Sequence, residues 1–308
     1  MRMVPTLSRP LATCSLVALD LESQQMGVAV AGHWFSIGTL IPWAEAGVGA
    51  VATQAGIRVE YGIDGIHLMV TGKTAPQALE LLLMRDPEAA LRQVAMIDRQ
   101  GNLAAHTGAR CVAESGHHFG KNYVTLANMM SKPGIPQIMA DAFENEKGDF
   151  ADRMLGALQA AHDAGGHLRP PQSAAMLIVN RHSVDHVAQD VVADLRVEEH
   201  LDPLKELKRL ALLHRAYKGA SLGIQELMSG DVEATMKQYE EATRLCPHNH
   251  ELRFWMAVAL GNAGKWEQAL PIFDAVLEAE PSWNLLIPRL IQVELLHDHP
   301  RFSNLTLA

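Results

Sequence analysis

The chain has 308 residues, of which 48% are hydrophobic and 20% charged, and its formal net charge is −9. That length accommodates one large domain and a smaller one, and the composition requires a well-buried core with little disorder. An acidic balance with scattered Lys and Arg excludes a basic face for nucleic acid, three distant cysteines (Cys14, Cys111, Cys246) exclude a disulfide framework, and the lack of any run of 18 apolar residues excludes a spanning helix.

Residues 1–12 are punctuated by proline, carry two arginines and have no apolar signal region, so they read as a flexible leader of a cytoplasmic protein. The first strong pattern is a hairpin. Thr13–Leu19 is β-branched and apolar, and Met26–Ala31 returns as a small-residue strand. Three nucleophile types, Thr13, Cys14 and Ser15, stand in a row at the head of the first strand, and the second ends near His33 and Ser36. Ile37–Trp43 and Ala46–Thr53 predict two further short strands. The period then changes to 3.6, predicting helices over Tyr61–Thr71 and Ala75–Arg85, the second with Thr74 as N-cap and Gln77 closing a capping box. Strands follow at Gln93–Asp98 and Leu103–Thr107, joined by hairpin chemistry at Asp98–Asn102. A polar loop with His117 and His118 leads to a strand at Tyr123–Asn128, then to helices Ile135–Glu146 and Phe150–Ala164, a buried strand Ser173–Val179 and a short strand near Val187–Ala193.

Helices that arrive in pairs do not form single-helix βαβ crossovers, which argues against a Rossmann sheet. The pattern predicts an α+β fold, a four-layer αββα sandwich over residues 13–197, followed by an all-helical region over 198–308. That region opens with an amphipathic linker helix, Leu204–Tyr217. Beyond it Gly230 and Gly264 share a 34-residue offset with Pro247 and Pro281, a tetratricopeptide-like pattern of two units closed by a capping helix from Trp283 to Leu296.

The segments TCSLVALDLESQQMGVAVAGHWFSIGTLIPWAEAGVGAVATQA, RQVAMIDRQGNLAAHTGARC, DFADRMLGALQAAHDAGG and QSAAMLIV resemble the bacterial family catalogued as domain of unknown function 1028. The likeness implies an N-terminal-nucleophile (Ntn) hydrolase-like fold, with chemistry that the fold alone does not fix. Several positions depart from the family pattern. Cys14 replaces a phenylalanine, Gly32–His33 replaces a Ser-Lys pair, only Asn128 survives of a Gln-Gly-Asn segment, and His167 and Pro170 replace an aspartate and a glycine in a loop that keeps Arg169 and Gln172.

On this basis the expected function is hydrolysis of a C–N amide bond in a small, carboxylate-bearing amide or peptide-like metabolite. Thr13 is the leading nucleophile and Cys14 the second. Activation of either as an N-terminal residue requires cleavage at Ala12–Thr13 or Thr13–Cys14, because the free α-amine is the general base. Without cleavage, Cys14 or Ser15 could pair with His33. His33 and His167 are candidate acid–base groups. Gln54 and Asn128 are candidate oxyanion donors, Arg169 a carboxylate anchor and Gln172 an amide-binding group. No cofactor, membrane or nucleic-acid partner is expected, whereas a homodimer and a protein contact through the helical repeats are. Two other classes compete with the amidase: a catalytically silent binding module, and a metal-dependent hydrolase built from three of His33, His106, His117, His118 and His167.

Overall fold

The computed structural model describes residues 10–184 and 187–302. The short strand expected near Val187–Ala193 falls beside the undescribed pair 185–186, and most of the expected leader, residues 1–9, lies outside the described residues. The chain divides into two compact units, one up to Arg209 and one from Leu210.

The first unit holds two antiparallel sheets. Strands β1 (Thr13–Asp20), β2 (Gln25–Gly32), β3 (Pro42–Glu45) and β4 (Gly49–Ala55) precede helices α1 (Glu60–Val70) and α2 (Ala75–Arg85). Then come β5 (Arg92–Asp98), β6 (Leu103–Thr107), β7 (Gly116–Gly120) and β8 (Tyr123–Asn128), helices α3 (Ile135–Asn145) and α4 (Phe150–Asp163), and β9 (Ser173–Asn180), α5 (Val187–Asp190) and β10 (Val191–Val197). One sheet has the order β10-β9-β2-β1-β8-β7 and the other β3-β4-β5-β6.

Alternation along the strands sorts their side chains between two faces. Val17, Leu19, Val28, Val30, Val124 and Leu126 of the larger sheet share one buried cluster with Ala50, Ala52, Ala95 and Ile97 of the smaller, so the sheets pack against each other. The intervening residues of the smaller sheet, Val51, Val94 and Met96, face Tyr61, Ile66, Met69, Leu79 and Leu82 of α1 and α2. Helix α4 packs on β1 and β2, and α3 on β7 and β8. Because both faces of β1 are covered, its sequence is a near-continuous run of small and apolar residues, TCSLVALD. The Thr74–Gln77 capping box forms as the sequence predicts, with both reciprocal bonds present.

Three local expectations are corrected. Ile37–Trp43 is not one strand: Ser36 takes a left-handed conformation (φ 54) and Ile37–Thr39 is a 3-10 turn whose first N–H donates to Ser173 Oγ at 3.1 Å, so the strand starts only at Pro42. The polar stretch around His117 and His118 is the edge strand β7, which pairs with β8 alone and therefore tolerates polar residues. The segment near Val187–Ala193 is the helical turn α5 followed by β10, which continues to Val197 as the opposite edge of the sheet.

The second unit is helical. Helix α6 (Pro203–Met228) runs into it and is followed by α7 (Val232–Leu245), α8 (His250–Asn262), α9 (Trp266–Ala279) and α10 (Leu286–Gln292). The expected closing helix from Trp283 is shorter, since Pro281–Leu285 is a 3-10 turn. Gly230 and Gly264, 34 residues apart, both adopt positive φ (89° and 72°) between helices. Tyr239, Phe254, Phe273, Val276 and Phe302 form its core, with Phe254 and Phe273 edge-to-face at 5.7 Å. No described helix is long and apolar enough to cross a membrane.

One buried ion pair ties β5 to the loop after α2. Arg92, 1% exposed, donates to Asp86 Oδ2 at 2.8 Å, to Gly56 O at 2.7 Å and to Glu88 Oε2 at 3.0 Å, while Tyr61 O–H donates to the same Asp86 oxygen at 3.1 Å. Burial works to raise the Asp86 pKa, but these donors outweigh it and hold the carboxyl below its ordinary 3.8. Removing one partner of such a pair strands a buried charge. Arg92→Met is therefore expected to lower the stability of the first unit by about 3–5 kcal/mol in denaturant unfolding. In the unsubstituted chain the Asp86 contribution is full above pH 3.8 and is lost as pH falls through the lower folded value.

Candidate functional site

Positions 13 and 15 of β1 lie on the same face as Val17 and Leu19, the face between the sheets. The same two-residue count places Gln54 with Ala50 and Ala52, Gln93 with Ala95 and Ile97, and Asn128 with Val124 and Leu126. Five polar side chains, all fully buried, thus stand at one end of an otherwise apolar layer. Burial of unsatisfied amides and hydroxyls costs about 1–3 kcal/mol each, so their bonds decide whether the arrangement is stable.

They bond to one another. Asn128 Nδ2 donates to Thr13 Oγ1 at 2.7 Å and to Gln93 Oε1 at 3.2 Å. Ser15 Oγ donates to Gln54 Oε1 at 2.6 Å, and Gln54 Nε2 donates to Gln93 Oε1 at 2.7 Å. Gln93 Nε2 in turn donates to Thr107 Oγ1, Gly116 O and Ala127 O at 2.9–3.0 Å. Thr107 Oγ1 lies 2.8 Å from His117 Nδ1. Thr13 Oγ1 is an acceptor in this network, and its own hydrogen goes to no protein group among the described residues. Asn128 Oδ1 is buried without a partner. Two non-glycine residues with left-handed backbone, Ala55 (φ 66) and Met129 (φ 56), directly follow Gln54 and Asn128. Such conformations cost energy and cluster at functional sites.

Cys14 points the other way, to the helix-covered face. Its Sγ lies 3.5 Å from His167 Nε2 and 3.8 Å from Ala31 O. Burial pushes the thiol pKa up to about 12, and burial lowers His167 to about 4, so the pair is a neutral thiol beside a neutral imidazole. His167 Nδ1 is buried and unpartnered. A thiol held protonated is a poor nucleophile.

The expected residues thus fall into separate groups. Thr13, Gln54 and Asn128 share the network between the sheets, whereas Cys14 and His167 share the opposite face. Neither Cys14 nor Ser15 pairs with His33, whose Nδ1 lies 2.7 Å from Pro170 O. Gln54, expected as an oxyanion donor, has both ends of its amide engaged by Ser15 and Gln93. Arg169 donates to Met129 Sδ at 3.6 Å. The Gln172 side chain donates to Glu199 Oε1 at 3.4 Å, and its backbone N–H to Gly32 O at 2.8 Å. Among the described residues no group of three or more His, Cys, Asp or Glu side chains is placed to hold a metal ion. The residue that sequence reasoning missed is Gln93. Its signal was present: a glutamine at an inward position of a strand whose other inward residues, Ala95 and Ile97, are apolar.

The family model described as "Family of unknown function (DUF1028)" matches residues 13–207. The crystal structure of protein SPO2555 from Silicibacter pomeroyi, which carries the same family assignment, matches with a TM-score of 0.59 and 28% sequence identity, covering 65% of this chain and 88% of that one. No curated protein matches the chain.

The Cys14 environment generates a direct test. Under native conditions a thiol reagent at pH 8 is expected to label the half-buried Cys111 and Cys246 and to leave Cys14 unmodified until the chain unfolds, as read by peptide mass mapping. For His167, the folded pKa lies below the ordinary 6.5, so its contribution to stability is full above pH 6.5 and falls as pH drops towards about 4. His167→Phe is expected to flatten the stability profile across that window, and an unchanged profile would contradict the assignment.

Proposed function

The chain belongs to the DUF1028 family, and from that premise we propose that its first unit is a four-layer, Ntn-hydrolase-like αββα sandwich that hydrolyses a C–N amide bond. The substrate is a small amide or peptide-like metabolite bearing a carboxylate. The observation that carries this reading is Thr13 itself: a hydroxyl at the head of the central strand β1, on the face between two sheets, with Asn128 Nδ2 2.7 Å from its oxygen.

The chemistry requires a cut at Ala12–Thr13, since the Thr13 nitrogen is otherwise a peptide nitrogen. The freed α-amine, with an ordinary pKa near 8, takes the Oγ proton as Oγ attacks the substrate carbonyl carbon. The carbonyl π electrons move to oxygen, and the Asn128 Nδ2 hydrogen that bonds Thr13 Oγ1 in the uncut chain turns to the developing charge, while the other stays on Gln93. Collapse of the tetrahedral species expels the amine, which leaves with the proton, and water then releases the acyl group from its Thr13 ester. The orphaned acceptor Asn128 Oδ1 supports the reading, because an α-ammonium beside it would supply the missing donor. Gln93 holds Asn128 in place, and Gln54 in turn holds Gln93. Arg169 is the proposed carboxylate anchor, Gln172 a proposed loop contact and His33 the proposed acid–base group of the same rim. His167 belongs to the Cys14 face and is left out of this mechanism. The proposal includes a cytoplasmic location and a helical unit, read as tetratricopeptide-like, that serves as the surface for a second copy or a protein partner.

One observation favours a second reading, a catalytically silent binding module: Thr13 is fully buried in the uncut chain. Intact mass and an amide panel separate the two. The amidase reading expects a chain beginning at Thr13, loss of roughly 10³-fold or more of the activity in Thr13→Ala, and a drop of about 10²–10³ in kcat in Asn128→Ala. An uncut chain with no hydrolysis of any amide leaves the module.

A further inference from the structure

The two residues before Thr13 are built into the layer between the sheets. Leu11 and Ala12 are fully buried, and Leu11 belongs to the apolar cluster that includes Ile37, Ile41 and Ile57. Each sheet holds the segment by its backbone. The Leu11 N–H donates to Ala55 O at 3.1 Å on the smaller sheet, and the Ala12 carbonyl accepts from the His33 N–H at 3.0 Å just past the end of β2 in the larger. Ala55 presents its carbonyl from a left-handed backbone conformation, φ 66, that is unfavourable for an alanine. Gly32 permits the approach on the other side, since a Cβ there would lie 2.6 Å from Ala12 O and from Thr13 Cγ2.

A dipeptide gripped at both ends, with the Ala12 carbonyl on an N–H donor and the Leu11 side chain in an apolar slot, is held as a peptide-like ligand would be held. The Ala12 carbonyl carbon is the one joined to Thr13, so the Leu11 side chain lies one residue further from it. We propose that the slot filled by Leu11 is a subsite of the Thr13 site one residue removed from the reacting carbonyl, and that it takes a branched aliphatic side chain of about leucine size on the acyl part of a dipeptide-like amide. Residues 11–12 block that subsite until the chain is cut. This assignment rests on the Thr13 reading, and it narrows the substrate class from small amides in general to dipeptide-like amides whose residue before the reacting one is branched and aliphatic.

The test has two arms on the full-length chain. In the first, Thr13→Ala keeps the segment attached and Leu11→Gly empties the slot; Leu11→Ala replaces it if the glycine variant does not fold. The double variant is expected to bind 4-methylpentanamide at least ten-fold more tightly than acetamide or 3-phenylpropanamide in calorimetric titration, while Thr13→Ala alone binds none of them. Equal binding of the three amides, or equal binding by single and double variants, overturns the subsite. Neither variant requires turnover, so this outcome is independent of whether Thr13 is a nucleophile. In the second arm, the unsubstituted chain is expected to hydrolyse leucyl-alanine 4-nitroanilide at least ten-fold faster than glycyl-alanine 4-nitroanilide. Hydrolysis without that preference overturns the subsite and leaves the Thr13 reading standing. Absence of hydrolysis for every anilide tells against the Thr13 reading, and the binding arm then decides the slot alone.

Discussion

The bond between Asn128 Nδ2 and Thr13 Oγ1 exists because a strand shows alternate residues to opposite faces, and β1 is covered on both. Thr13 and Asn128 are direct partners in the ladder between β1 and β8, so the register of that ladder brings hydroxyl and amide together. A slip of one residue would turn Thr13 towards the helices and put Cys14 between the sheets. The apolar residues further along β1 forbid the slip, since Val17 and Leu19 would leave the layer that buries them. The core therefore enforces the geometry of the polar end.

That polar end is dear to maintain. Five buried polar side chains replace what could be an apolar layer, and they are tolerable only because Gln93 serves as a hub, accepting from two amides and donating to three oxygens. Two left-handed residues, Ala55 and Met129, add backbone strain at the ends of β4 and β8. Polar burial and strain at one end of the same layer follow from function more readily than from stability, for which valine or leucine at these positions would serve better. The Asp86–Arg92 pair anchors the start of β5, the strand that carries Gln93 in its second position.

Much of this was legible in the residues. The paired helices and the period-2 runs called for two antiparallel sheets with helices packed outside them, and Thr74–Gln77 announced the start of α2. Thr13, Gln54 and Asn128 were recognisable as polar residues at strand ends, and counting by twos from Val17, Ala52 and Leu126 puts them on one face. The same count separates Cys14 from Thr13, although adjacency in the sequence invites treating them as equivalents. Other features were hidden for physical reasons. β7 reads as a loop because an edge strand pairs on one side only and keeps its polar residues wet. The His33–Pro170 and Cys14–His167 contacts join residues more than 130 positions apart through loops, where no periodicity constrains the partners. The burial of Leu11 and Ala12 was likewise invisible in a segment whose prolines suggest flexibility.

The proposed chemistry makes the hydroxyl at the head of β1, and not the thiol beside it, the reactive group. Peptide mass mapping after exposure of the purified protein to a small β-lactone, which acylates activated hydroxyls and thiols by ring opening, distinguishes the two groups. A reactive hydroxyl yields a single acyl adduct on Thr13, absent from Asn128→Ala. An adduct on Cys14 instead, or an unmodified Thr13 in a chain that hydrolyses amides, would contradict that chemistry.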